Sequence, residues 1–303
     1  MPNIKAALGW LFAPATEDVP KHQAMGVTFL RILIGLLWLY NVSWKRAPNF
    51  GEEANNGLWK FTNFAVEHPV FPPYTWVVET FVLPVFQPFG WGVLLSETAL
   101  AVLLLTGTYI RVAALLGIAQ SVAIALSVAF APEEWPWAYW MMIGAHVVLL
   151  LSSSGRYLAV DGVRARVVRT ATLGQVWGGL AVLLGLYSTL MSFGDPFAAR
   201  GPGLRSSDLS ISFGNYNLLG GLLLIILGAM LIMAARWDAE VIAKAAAGLA
   251  VVAGLSLHAQ LGFTDPVLGG NPTSAAFLFC IGVVAGAIAV VPARRRSKET
   301  VAA

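Results

Sequence analysis

Eight apolar runs, each near the length of a bilayer-crossing helix, alternate with short polar or Pro/Gly-rich breaks along the chain. They fall at about 27–44, 91–110, 112–131, 135–154, 174–193, 217–235, 241–260 and 273–292. A helix needs ~20 residues, at 1.5 Å each, to cross roughly 30 Å of hydrocarbon. A transmembrane barrel would instead show short segments of alternating polarity. The pattern therefore predicts an all-α polytopic membrane protein, with about eight transmembrane helices arranged as two four-helix halves. Two segments break the pattern. Residues 71–90, FPPYTWVVETFVLPVFQPFG, are apolar and aromatic but carry Glu79 and four prolines, which argues against a clean span and for an interfacial or re-entrant element. Residues 194–216 form a long loop with turn residues at its start.

The basic stretch VRARVVRT, 163–170, divides the halves. The predicted organisation is an N-terminal cytoplasmic or interfacial segment, 1–26, and a four-helix membrane bundle, 27–162. A basic cytoplasmic linker, 163–173, leads to a second four-helix bundle, 174–292, and a basic cytoplasmic tail, 293–303. The short apolar patch Ala6–Phe12 is ended by Pro14 with no clear cleavage site, which suits an interfacial anchor carrying Trp10 better than a signal peptide. Residues 112–130 and 242–263 share a small-residue texture, and each precedes an acidic-proline turn, so an ancient duplication is one reading.

Composition agrees with the pattern. Hydrophobic residues make up 57% of the 303, charged residues only 12%, and the mean hydropathy is +0.72, far from the balance of a soluble domain. The net charge of +3 points to no nucleic-acid surface, because most cations lie in loops. Lys5, Lys21, Arg31, Arg111, Arg156, Arg164, Arg166, Arg169, Arg236, Lys244, Arg294, Arg295, Arg296 and Lys298 gather on one side, fourteen of the nineteen Lys and Arg. Lys45, Arg46, Lys60, Arg200 and Arg205 lie on the other. This bias predicts both termini in the cytoplasm, in an inner (cytoplasmic) cell membrane. The single cysteine, Cys280, excludes dithiol chemistry within one chain.

Charges inside apolar runs carry the chemistry, because each is costly at membrane depth. Glu97 sits six residues, about 9 Å, into the second run from its outer end. Lys45 and Arg46 end the first run on the same side, so at least one of them is expected to pair with Glu97. The pair has two readings: a structural lock between helices, or the border of a site for an oxidised or anionic small molecule. His146, near mid-membrane in the fourth run, could hydrogen-bond a quinone carbonyl, ligate a metal, or simply be a packed core histidine. Trp140 and Trp91, with Trp59, Trp76, Trp135, Trp137 and Tyr139, suit an interfacial aromatic belt and could also wall a quinone-ring pocket. His258 lies too shallow to share a haem with His146. No metal site is predicted, and no haem or iron–sulfur motif is present.

The first half, roughly 25–163, resembles the DoxX/DoxD family. The resemblance rests on FLRILIGLLWLYNVSWK, LLSETALAVLLLTGTYIRVAALLG, the aromatic outer loop, and SSSGRYLAVDG. Gly107, Arg111, Gly155, Arg156, Tyr157 and Asp161 are its most specific pieces. It implies a small membrane subunit of a thiosulfate:quinone oxidoreductase, in which thiosulfate electrons enter the quinone pool and tetrathionate forms. Lys45, Arg46 and Glu97 occupy positions similar to the family's outer-leaflet Lys and intramembrane Glu. Eight spans rather than four depart from the family pattern.

Three functions follow as expectations. The first is a quinone-linked oxidoreductase subunit. There Lys45, Arg46 and Glu97 are the catalytic candidates, His146, Trp140 and Trp91 hold the quinone cofactor, a small anionic substrate approaches the outer face, and partner subunits supply an electron carrier. The second is a non-enzymatic scaffold of a redox complex. The third is a small-molecule transporter, which would favour polar midplane residues in both halves. In each, the lipid bilayer is the first partner.

Overall fold

The computed structural model describes residues 4–205 and 209–291. In chain order its helices are α1 (Ile4–Phe12), α2 (Lys21–Ser43), α3 (Gly57–Glu67), α4 (Pro72–Val77), α5 (Phe86–Thr106), α6 (Ile110–Val128), α7 (Pro136–Leu151), α8 (Val160–Arg164), α9 (Thr170–Met191), α10 (Leu218–Trp237), α11 (Glu240–Ala259) and α12 (Pro272–Val290). Among the described residues, seven helices are long and apolar enough to cross a membrane. The chain is thus an all-α polytopic membrane protein. The run predicted at 135–154 becomes α7, whose 16 residues reach only about 24 Å. The basic tail predicted at 293–303 lies outside the described residues.

Segment 71–90 is mostly helical but interrupted, as its prolines predict. Helix α4 leads through a π turn, Val78–Val82, and a 3-10 turn, Leu83–Val85, into α5, giving a run of 35 residues from Pro72 to Thr106 that is interrupted at Val85, φ −127° and ψ 43°. Pro72 and Pro73 occupy the first positions of α4, where the missing N–H has no intrahelical partner to lose, and Pro84 falls in the short 3-10 turn at the interruption. The loop at 194–216 contains a short antiparallel hairpin, β1 (Gly203–Arg205) with β2 (Ser210–Ser212), and β2 lies against α2.

Helices pack mainly with sequence neighbours: α9 on α10, α11 on α12, α6 on α7, and α2 on α5. With no water to drive association inside lipid, close backbone approach supplies the attraction. On α9 and α10, Gly178 and Gly228 face one another so tightly that a methyl group on either would lie 2.7 or 2.6 Å from the other's carbonyl oxygen. Helix α12, the most enclosed of the spans, joins the halves by packing on α5 and α2 as well as on α9 and α11.

The end of the bundle holding Arg111 is closed by a polar clasp made from the pieces GTYIR and SSSGRYLAVDG. Asp161 accepts from the backbone N–H groups of Tyr109 and Ile110, both at 3.1 Å, and so caps the start of α6. Gly107 ends α5 in the left-handed conformation, φ +65°, where an added Cβ would meet Ala159 and Arg31. Arg31 is fully buried and donates to five carbonyls, those of Ser154, Leu104, Leu105, Tyr157 and Leu158. A guanidinium has five N–H groups, so its donors are fully used. Arg111 pairs with Glu17, and Arg156 with Asp18 at 2.7 Å, fastening the segment after α1 to the same clasp.

Candidate functional site

Helix α2 ends at Ser43, and the Lys45 side chain turns back onto its last turn. The Lys45 ammonium donates to the Asn41 carbonyl, 2.9 Å away, placing a cation at the negative end of the helix dipole. It also lies 3.8 Å from the centre of the Trp44 ring. Its third neighbour is Glu97 on α5, with Nζ 2.6 Å from Oε2. Lys45 and Glu97 are each only 2% exposed. The ammonium thus meets a carbonyl, a ring face and a carboxylate at once, with the carboxylate as its charged partner. The Glu97 carboxyl group is therefore buried but charge-compensated, as a buried carboxylate must be.

Lys45 and Glu97 open onto a cavity of about 250 Å³ walled by α2, α3, α4, α5, α6 and α7. Trp44, Phe61, Phe89, Val93, Ile124 and Met142 give it apolar sides. Polar groups punctuate them. The Tyr74 hydroxyl meets Ser127 Oγ at 3.0 Å and donates to the Ala123 carbonyl at 3.2 Å, tying α4 to the end of α6. Gln120 donates to Ser96 Oγ, and Tyr139 donates to Glu134. Apolar walls with a few convergent polar groups are what a site for a small organic molecule requires.

Arg46 takes the opposite direction. It is exposed and lines a second cavity, of about 460 Å³, with Tyr40, Trp44, Phe50, Asn56 and Phe61. Trp44 and Phe61, packed edge to face with centroids 5.6 Å apart, border both cavities. Successive residues of SWKR thus serve different spaces: Trp44 the partition, Lys45 the Glu97 cavity, Arg46 the other.

The remaining predicted residues are placed elsewhere. His146 is fully buried. Its Nε2 accepts from the Trp38 indole N–H at 2.9 Å, and its Nδ1 lies 2.7 Å from the Met142 carbonyl, so both ring nitrogens are occupied and the network fixes the neutral tautomer with its proton on Nδ1. It is a packed link between α2 and α7, outside the lining of the Glu97 cavity. Trp140 is 66% exposed on the outside of α7. Trp91 packs edge to face on Phe50, centroids 5.6 Å apart, in a separate apolar cluster. Sequence reasoning set Tyr139 in the aromatic belt and gave Tyr74, Gln120 and Glu134 no role. The one available sign was the polar group that each carries into an otherwise apolar neighbourhood.

The His146 packing makes a stability prediction. A Cβ added at Gly117 on α6 would lie 2.0 Å from His146 Cδ2. Gly117→Ala is expected to displace the imidazole, break the Trp38 bond and lower stability by about 1–3 kcal/mol, read as a drop in the unfolding midpoint in detergent. An unchanged midpoint would contradict this packing.

Among the described residues, no group of three or more His, Cys, Asp or Glu side chains is arranged to hold a metal ion. Comparison with family models, with curated proteins and with solved structures finds no match to this chain.

Proposed function

We propose that the chain is the membrane subunit of a quinone-linked oxidoreductase of the DoxX/DoxD kind, and that the Lys45–Glu97 cavity is its quinone pocket. The observation that carries this reading is a buried ion pair, contributed by two helices, opening onto an aromatic-walled cavity. A quinone ring is flat and apolar, with carbonyl oxygens that only accept hydrogen bonds. Lys45 supplies a cationic donor for such an oxygen, Trp44, Phe61 and Phe89 supply ring faces, and Glu97 supplies a carboxyl group able to carry a proton. Sites for drug-sized ligands occupy roughly 300–1,000 Å³. A 250 Å³ space suits one substituted ring, whose lipid tail would remain among the helices or in the bilayer.

The electron donor in this proposal is a reduced sulfur anion such as thiosulfate, two of which yield tetrathionate and two electrons. Arg46, in the neighbouring cavity, is the cation it would meet, and a partner subunit would supply any electron carrier. The resemblance behind this choice rests on the sequence motifs alone. In this reading both termini are cytoplasmic and the Lys45 end faces outward across a cytoplasmic membrane, which the charge asymmetry of the loops supports. A scaffold is the second reading, favoured by the Lys45 hydrogen bond that closes α2 while its ion pair ties α2 to α5. Transport is weaker: in the second half, the ion pair Lys244–Glu240 is exposed at a helix end.

The test is quinone binding by purified protein, followed by quenching of tryptophan fluorescence with a short-chain quinone. Wild-type protein is expected to saturate. Trp44→Leu, which removes both the partition and the ring over which Lys45 sits, is expected to weaken binding roughly tenfold. Absence of saturable binding by the wild type would reject the pocket, and unchanged affinity in Trp44→Leu would reject this geometry for it.

A further inference from the structure

The Glu97 cavity contains a second acid–hydroxyl pair. Glu134 stands in the turn between α6 and α7, and is half-buried. Tyr139, on the first turn of α7 and 9% exposed, donates its hydroxyl to Glu134 Oε2. Both residues line the same space as Lys45 and Glu97. The two pairs differ in access: Glu97 is enclosed by protein, whereas Glu134 reaches both the cavity and the surface at the Lys45 end. The cavity's other polar groups are committed. Tyr74 is held by Ser127 and the Ala123 carbonyl, and the Gln120 amide by Ser96.

We infer that Tyr139 and Glu134 form the proton port of the cavity, linking the Lys45–Glu97 pair to water at the Lys45 end. This rests on the quinone reading above and adds to it the route and the side of proton exchange. Reduction of the ring takes two electrons and two protons. O–H bonds form at the two carbonyl oxygens, and no heavy-atom bond breaks. In the enzyme the electrons come from the sulfur donor; in the test below they come from an electrode. A proton delivered beside Lys45 and Glu97 must be replaced, and the enclosed carboxyl group has no bulk water of its own. Tyr139 passes a proton without net change: once Glu134 is protonated, the hydroxyl turns from it towards the cavity, gives its proton there and takes one from Glu134. Glu134 in turn reloads from the surface. Oxidation of the reduced ring runs the same steps backwards.

The test uses the whole protein in detergent, with a short-chain benzoquinone bound and reduced at an electrode, so that no partner subunit is needed. Affinity is measured separately by fluorescence quenching. Glu134→Gln and Tyr139→Phe are expected to slow proton-coupled reduction on the order of 100-fold, while affinity moves by less than about threefold. Glu134→Asp, which keeps the acid, is expected to recover most of the rate. Wild-type rates in both variants would overturn the port and leave the quinone pocket standing. Rate and affinity falling together would also overturn it, because the pair would then only shape the cavity. Failure of the wild type to bind quinone at all would remove the pocket and the port with it.

Discussion

Replacing Glu97 by leucine, with Lys45 left in place, is expected to destabilise the protein by about 3–5 kcal/mol, the usual cost of leaving one member of a buried ion pair without its partner. The ammonium would retain only the Asn41 carbonyl and the face of Trp44, in a site 2% exposed. Lys45→Met should do comparable damage from the other side, leaving the buried carboxylate without its ion-pair partner. The double variant Lys45→Met with Glu97→Leu replaces both charges by apolar groups of similar size, and such replacements are often neutral or stabilising. Its unfolding midpoint in detergent is therefore expected to return close to wild type, while quinone binding stays lost. That combination separates the two main readings. A lock between α2 and α5 needs only the stability, so a scaffold would keep its assembly function in the double variant. A binding pair needs the charges themselves.

Arg31→Lys should be nearly as damaging, although it keeps the charge. The guanidinium fork feeds five carbonyls at once, including those that end α5. An ammonium has three donors and no fork, so at least two of these buried or part-buried carbonyls would lose their partner, at about 1–3 kcal/mol each. Leu104 O also accepts from the Gly107 N–H, which lowers the expected total toward the middle of a 2–6 kcal/mol range. The loss should appear as a lower unfolding midpoint and as protease access at the turn joining α5 to α6. An Arg31→Lys variant as stable as wild type would show that the clasp is held by the Asp161 cap and by the Arg111 and Arg156 ion pairs instead.

The sequence exposed the Lys45–Glu97 pair because a carboxylate within an apolar run has few affordable places to be. Depth along α5 and the end of α2 were enough to bring the two together. Arg46 was indistinguishable from Lys45 at that level, since adjacent residues at a helix end differ only in direction, and direction is set by the loop that follows. Arg31 was read as one more cation on the cytoplasmic side. Its five bonds depend on carbonyls from α5 and from the stretch after α7, whose meeting no local pattern reveals. The motif pieces Gly107 and Asp161 were visible, but their joint purpose, ending α5 and capping α6, required the fold.

Segment 71–90 keeps the interruption that its prolines predict: a π turn and a 3-10 turn separate α4 from α5, and Val85 leaves the helical conformation just before α5 begins. His146 was conspicuous as an isolated polar group in a span, and burial against Trp38 and Met142 accounts for both its nitrogens. Tyr139 passed as one ring in an aromatic belt because its neighbours Trp135, Trp137 and Trp140 are indeed exposed. Helical periodicity alone turns Tyr139 inward while those three face outward.

Photolabelling addresses the cavity most directly. A light-activated azidoquinone, applied to the purified protein and mapped by peptide mass analysis, is expected to mark residues 41–62 and 120–142, with Trp44, Phe61 and Met142 as the nearest targets, and an excess of unlabelled quinone is expected to remove the marks. Labelling confined to lipid-facing positions such as Trp140, or labelling that excess quinone leaves unchanged, would contradict a quinone pocket at Lys45 and Glu97.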